Sequence, residues 1–113
     1  MRIEEMYLIA AEAAAEKGSW QDFNDYINAI RNRAGLMSLA IENYSDAIDA
    51  LKKERKIEFF CEFGHRFYDL KRWNVFSEIS DVKPQWQKHY EVLPLPENEL
   101  LLNPNLLPQN TGY

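Results

Sequence analysis

The sequence predicts an all-α fold: a tetratricopeptide-like helical hairpin, a long helix with a short partner, and an extended C-terminal arm rich in Pro, Asn and Leu. Three observations carry this. Apolar and small residues recur at three- and four-residue spacing up to Ala34, interrupted at Gly18 and closed at Gly35. A second run of the same period begins at Ile48 and leads into Glu54 to Trp73, a block crowded with charged and aromatic side chains. From Asp81 onward, prolines at 84, 94, 96, 104 and 108 exclude another long helix.

In the first helix, Ile3, Met6, Tyr7, Ala10, Ala11 and Ala14 share a face whose alanines imply close helix contact, and Gly18 stops it. Ser19 with Asp22 reads as a capping box for the second helix, whose stripe is Phe23, Tyr26, Ile27, Ile30 and Ala34. Residues 36–43 read as a loop, and Tyr44-Ser45-Asp46 offers the next cap. The third helix then carries Ile48, Leu51, Arg55, Glu58 and Glu62 on one face, while Ile57, Phe59 and Phe60 leave almost no side polar. Such a helix is expected to be buried on most sides, with Arg55, Glu58, Glu62 and Arg66 paired in a charged clasp. Gly64 turns the corner, and His65-Arg66 open a short helix through Tyr68 and Asp69 to Trp73. In the arm, VLPLP reads as extended, Glu97 to Leu102 as a helical turn, and the final NPNLLPQNTGY as a packed tail.

With 113 residues, 46% of them hydrophobic, the chain fits a single domain: a hairpin at 1–35, clasp helices at 44–73 and an arm at 81–113. Its net charge of −5 disfavours nucleic acid and anionic membranes as partners, and KKERK, Lys52 to Lys56, reads as a solvated helix face. The single Cys61 excludes an internal disulfide and a Cys-rich zinc site, and its position suggests a small packed residue. His65 and Asp69 stand four apart and could hold a metal or act as base and orienter, but a metal site needs a third ligand, the other histidine, His89, has no partner spacing, and the pair reads as a helix-start histidine with a cap-type contact. Glu54, Glu58 and Glu62 could supply acids for glycoside hydrolysis, yet carboxylates a turn apart and interleaved with arginines read as ion-paired. The expectation is no catalytic site, no metal and no cofactor. Trp86 and Tyr90 are the candidate ligand-binding residues, as a stacking platform for a sugar. Trp20 and Trp73 read as packing beside helix ends.

Four blocks in order, RIEEMYLIAAEA, INAIRNRAGL, ERKIEFFCEFGHRFYDLKRW and LPLPENELLLNPNLLPQNTGY, resemble the C-terminal region of the SusD/RagB family. The motif residues that match, Arg55, Glu58, Glu62, Gly64, His65, Arg66, Asp69, Arg72 and Trp73, read as structural. The resemblance implies a surface lipoprotein of the Bacteroidetes outer membrane, built on tetratricopeptide-like helix pairs. Such a protein captures glycans or other nutrients and delivers them to a SusC-like TonB-dependent transporter. Members of the family are several times longer, with a lipid-anchor cysteine that Cys61 cannot be, and their sugar-binding aromatics lie mostly upstream of these blocks. The chain is therefore expected to be a C-terminal fragment that lacks the glycan contacts. It should expose Ile3, Met6, Tyr7, Phe23 and Ile27 and self-associate through them. The other reading is an isolated tetratricopeptide-like module that takes a protein segment between its helices, without sugar binding.

Overall fold

The computed structural model describes residues 2–113. Its regular elements are all helical: α1 (Ile3–Lys17), α2 (Trp20–Arg33), α3 (Tyr44–Glu58), α4 (His65–Arg72), α5 (Ser77–Ser80) and α6 (Glu97–Leu102), with 3-10 turns at Lys88–Glu91 and Pro104–Leu106. The chain divides into two compact units, Met1–Arg66 and Phe67–Tyr113.

In the first unit, α1 packs along α2 and against α3. Glu4 and Glu5 in the first turn of α1 and Lys17 in its last complement the helix dipole. Gly18 takes φ 69°, so that Ser19 N–H reaches Ala14 O at 2.9 Å and Gly18 N–H reaches Ala15 O at 3.0 Å. Gly35 (φ 73°) ends α2 in the same way, with Leu36 N–H on Arg31 O at 2.9 Å. Leu8, Ala11, Ala14 and Ala15 of α1 are buried with Phe23, Ile27 and Ile30 of α2 and Ala47 and Leu51 of α3. The small side chains on α1 let the larger ones of α2 and α3 fill the space between backbones. Each fully buried Leu, Ile or Phe here contributes about 1.5 to 3 kcal/mol from the water it sheds.

Several local expectations change. The capping box does not form: Ser19 Oγ donates to the Asp22 carboxylate at 2.7 Å, which uses the hydroxyl without satisfying a helix N–H. The cap of α3 is Asn43, whose side-chain oxygen accepts from Asp46 N–H at 3.0 Å. The third helix stops at Glu58, short of Glu62, because Phe59 turns inward and the chain passes through left-handed residues at Cys61 (φ 58°) and Phe63 (φ 43°) before Gly64. Consequently Ile57, Phe60 and Phe63 are exposed, and so is Cys61, which is neither helical nor packed. KKERK is not wholly a solvated face either, since Glu54 and Arg55 are buried. Ile3, Met6 and Tyr7 are exposed as expected, whereas Phe23 and Ile27 belong to the core because they point into the three-helix contact.

The loop at 36–43 is held by α2. Asn28 accepts from Leu39 N–H and donates to Leu39 O, both at 2.8 Å, and Asn24 does the same to Ile41 at 2.9 Å. Arg31 Nε donates to Met37 O at 3.1 Å. Two residues of extended chain advance about 6.6 Å and four residues of helix about 6 Å. Asparagines one turn apart therefore meet every second residue of the segment.

In the second unit, Asn74 (φ 55°) closes α4 as glycine does elsewhere, with Val75 N–H on Leu70 O at 2.9 Å. Leu70 and Phe76 are buried. α6 occupies the stretch read as a helical turn, Glu97–Leu102. The tail packs on the proline-rich segment: Gln109 accepts from Leu95 N–H at 2.8 Å and donates to Leu95 O at 2.9 Å. Asn110 donates to Leu93 O at 2.7 Å, and Tyr113 Oη to Val92 O at 2.9 Å. Pro94 and Pro96 have no N–H, so Leu95 offers the one donor of that tripeptide and Gln109 takes it.

Candidate functional site

The clasp is a closed ring of charges that ties three helix ends together. Arg2, just before α1, pairs with Glu58 and Glu62 and with Glu4 at 3.3 Å. Arg33, at the end of α2, pairs with Glu4 at 2.5 Å and with Glu58 at 2.6 Å. Glu58 and Glu4 thus each lie between two guanidiniums. Deeper in the unit, Glu54 accepts from Arg31 Nη1 at 2.9 Å, and both side chains are largely buried.

Phe59 is the apolar hub of this corner. The His65 ring stacks on it at 4.6 Å between centroids, and the guanidiniums of Arg2 and Arg55 stand 5.8 and 5.2 Å from its centre. His65 Nδ1 lies 3.8 Å from Glu5 Oε1, and Phe63 meets the His65 ring edge-on. A shallow cavity of about 270 Å³ is lined by Arg2, Glu5, Phe59, Glu62, Phe63 and His65. Among the motif residues, Arg55 and Asp69 are buried, Glu58, Glu62, His65, Arg66 and Trp73 half-buried, and Gly64 and Arg72 exposed. Asp69 is bonded by Arg72 at 3.2 Å, and the Arg72 guanidinium lies 4.6 Å over the Trp73 ring. His65 thus faces Phe59 and Glu5, and Asp69 accepts from Arg72. Among the described residues no three His, Cys, Asp or Glu converge as metal ligands.

The glutamates of the clasp face arginines, an arrangement that holds the helix ends together. The Glu4 carboxyl is held below its ordinary 4.5, first by the hydrogen bond from its own main-chain N–H and then, against the opposing effect of burial, by Arg2 and Arg33. For Arg2, burial pulls the guanidinium pKa down, but its bond to Glu4 and the charges of Glu62, Glu4 and Glu58 win and raise it. The folded state therefore takes up the Glu4 proton at lower pH than the unfolded chain. Its stabilisation is complete above about pH 4.5 and fades as the pH falls through the depressed value. Thermal melts between pH 6 and pH 3 should show a falling Tm, and Glu4→Gln should flatten that fall. An unchanged slope in the variant would remove Glu4 from the acid response.

In the second unit, Phe67, Phe76, Trp86 and Tyr90 form a chain of rings, with successive centroids 5.4, 5.6 and 5.6 Å apart. Trp86 spends one face on Phe76, nearly parallel at 18°, and Tyr90 meets it edge-on at 74°. A second cavity of about 270 Å³ is bounded by Trp86 and Phe76 with Ser77, Ser80, Lys88 and Glu91. The wall is thus aromatic and the rim carries hydroxyl, ammonium and carboxylate groups.

These features define a tetratricopeptide-like helical scaffold braced by ion pairs. The chain belongs to the SusD family, which it matches over residues 1–91. It is 38% identical to SusD-like protein P2 of Formosa agariphila across 100% of its own length and 25% of that protein. It is 32% identical to SusD-like protein P25 of the same organism, covering 99% of this chain and 24% of the relative. A crystal structure of a SusD-like protein from Bacteroides fragilis superposes with a TM-score of 0.81 at 30% identity, over 100% of this chain and 25% of that one. The chain therefore spans about a quarter of the length of these relatives.

Proposed function

We propose that this chain is the C-terminal scaffold of a glycan-binding, outer-membrane lipoprotein that captures oligosaccharides at the cell surface. That protein delivers them to a SusC-like, TonB-dependent transporter and carries out no catalysis itself. The observation that supports this most is the 38% identity to a SusD-like protein running the whole length of the chain. The clasp fits a scaffold role, since its carboxylates are engaged by arginines. Glycan contacts are assigned chiefly to the remainder of a longer protein. Trp86 and Tyr90 are the candidates within this chain, with Trp86 lining the cavity beside Ser77, Ser80, Lys88 and Glu91. The Ile3, Met6 and Tyr7 face is where the isolated chain would self-associate. The module reading has less behind it, because the polar side of α2 that would grip a peptide backbone already grips residues 37–41.

Calorimetry with starch, mannan and mucin-type glycans tests this on two proteins: the chain alone, and the longer product read from the DNA that continues its frame. The longer product should bind one glycan class saturably and co-purify with a transporter, and the chain alone should give flat traces. Heat from the chain alone that vanishes in Trp86→Ala would move the glycan site onto this chain. A longer product silent toward every glycan would overturn the proposal.

A further inference from the structure

We infer that residues 38–42 form a strand edge to which an extended polypeptide segment of a partner protein adds. In an extended chain the N–H and C=O of one residue point to the same side, and those of the next residue to the other. The carbonyls of Met37, Leu39 and Ile41 and the N–H groups of Leu39 and Ile41 are taken by Arg31, Asn28 and Asn24 of α2. The even-numbered residues must then direct their main-chain groups away from α2. Ser38, Ala40 and Glu42 are exposed, and among the described residues their N–H and C=O groups make no hydrogen bond.

This is half of a β-ladder, held straight from behind by side chains in place of a neighbouring strand. Donors and acceptors repeating every two residues match another extended backbone and nothing of different period, which fixes the chemistry of the occupant. The flanking side chains narrow it further. Met37, 87% exposed, and Leu36 beside it favour an apolar residue at one end, and the exposed Glu42 favours Lys or Arg at the other. A second copy of this chain fits less well. Antiparallel pairing about Ala40 would set Ser38 against Glu42 over three residues a side, far short of the roughly 1,200 Å² that a specific interface buries. The segment belongs instead to a larger partner that supplies the remaining area. This surface is independent of the glycan reading, since it lies on the first unit and uses main-chain groups.

Ala40→Pro isolates the effect. It removes one outward N–H, its fixed φ near −65° suits an extended residue, and the restriction it places on Leu39 favours the extended state that the alternating bonds to Asn28 and Asn24 imply. The probe is the peptide acetyl-Val-Thr-Val-Thr-Val-Lys-amide, titrated to millimolar concentration into the whole chain and followed by amide NMR. The expected result is saturable shifts and slowed hydrogen exchange at Ser38, Ala40 and Glu42, both lost with Ala40→Pro and with a peptide N-methylated at every residue, which leaves neither of its edges able to donate. The methylated peptide decides the matter should Ala40→Pro lower the melting temperature. Unmoved amides at these three positions would overturn the inference, and so would shifts that persist with the methylated peptide.

Discussion

Glu54→Ala is expected to destabilise the protein by about 3 kcal/mol and to lower Tm by roughly 12 °C. The Glu54 carboxylate is almost wholly buried and receives Arg31 Nη1 at 2.9 Å, and the Arg31 side chain is itself only 17% exposed. Removing the acid leaves a guanidinium in a place water reaches poorly, and breaking such a pair costs about 3 to 5 kcal/mol. The lower end applies because Arg31 keeps the Met37 carbonyl through Nε. Glu58→Ala should cost less, about 2 kcal/mol, since Arg2 and Arg33 are 38% and 51% exposed on their side chains and retain Glu4 and Glu62. The double variant Arg31→Met with Glu54→Leu should be more stable than Glu54→Ala, because no charge is then buried alone. Urea and thermal melts against the exposed control Lys17→Ala provide the check. A Glu54→Ala loss no larger than that of the control would show that the pair is not what braces these helices.

The contrast between Glu54 and Glu58 also shows what the sequence could reveal. Helical period placed Arg55 and Glu58 on one element, and Gly18 and Gly35 marked the ends of the hairpin correctly, because those signals are local. The arginines that complete the clasp are not local: Arg2 meets Glu62 across 60 positions and Arg33 meets Glu58 across 25. No spacing rule reaches that far. Arg2 and Arg33 sit at helix ends, where a charged residue reads as ordinary solvent contact.

The end of α3 was hidden for a different reason. Apolar period continues through Phe59 and Phe60, and the residues that leave the helix in left-handed conformations are Cys61 and Phe63, neither of which is a turn former. The result is a corner with exposed aromatics where period alone predicts buried helix. Asn24 and Asn28 were silent too, being polar positions beside an apolar stripe. Their four-residue spacing gains meaning only when an extended segment is known to lie across them. The aromatic wall at Trp86 was legible as a candidate, but that Phe76 covers one of its faces depends on how α5 and the 3-10 turn fold back.

Gly112→Ala is expected to release the C-terminal residues from the second unit while the rest of that unit stays folded. Gly112 has φ 102°, a conformation that costs an alanine of order 1 to 3 kcal/mol. A Cβ there would also lie 2.5 Å from both Cβ and Cγ of His89, and these atoms sit too near the backbone to swing aside as a side-chain tip could. Against this, Tyr113 Oη donates to Val92 O at 2.9 Å and, at a longer 3.5 Å, to His89 O, its N–H donates to Asn110 O at 3.2 Å, and its ring meets His89 edge-on at 5.1 Å, together worth about 1 to 3 kcal/mol at this exposed terminus. The strain and clash exceed what the terminus gains by docking, so Tyr113 should let go. Gln109 and Asn110 should keep their bonds to Leu95 and Leu93, since those partners lie before the altered position. Amide and ring NMR is the measurement. The His89 ring signals should move toward those of an exposed histidine, and the Tyr113 amide should exchange freely, while the Leu95 amide stays protected. Retained ring shifts at His89 would mean that the backbone accommodates a methyl group at Gly112, and the close approach would then not require glycine.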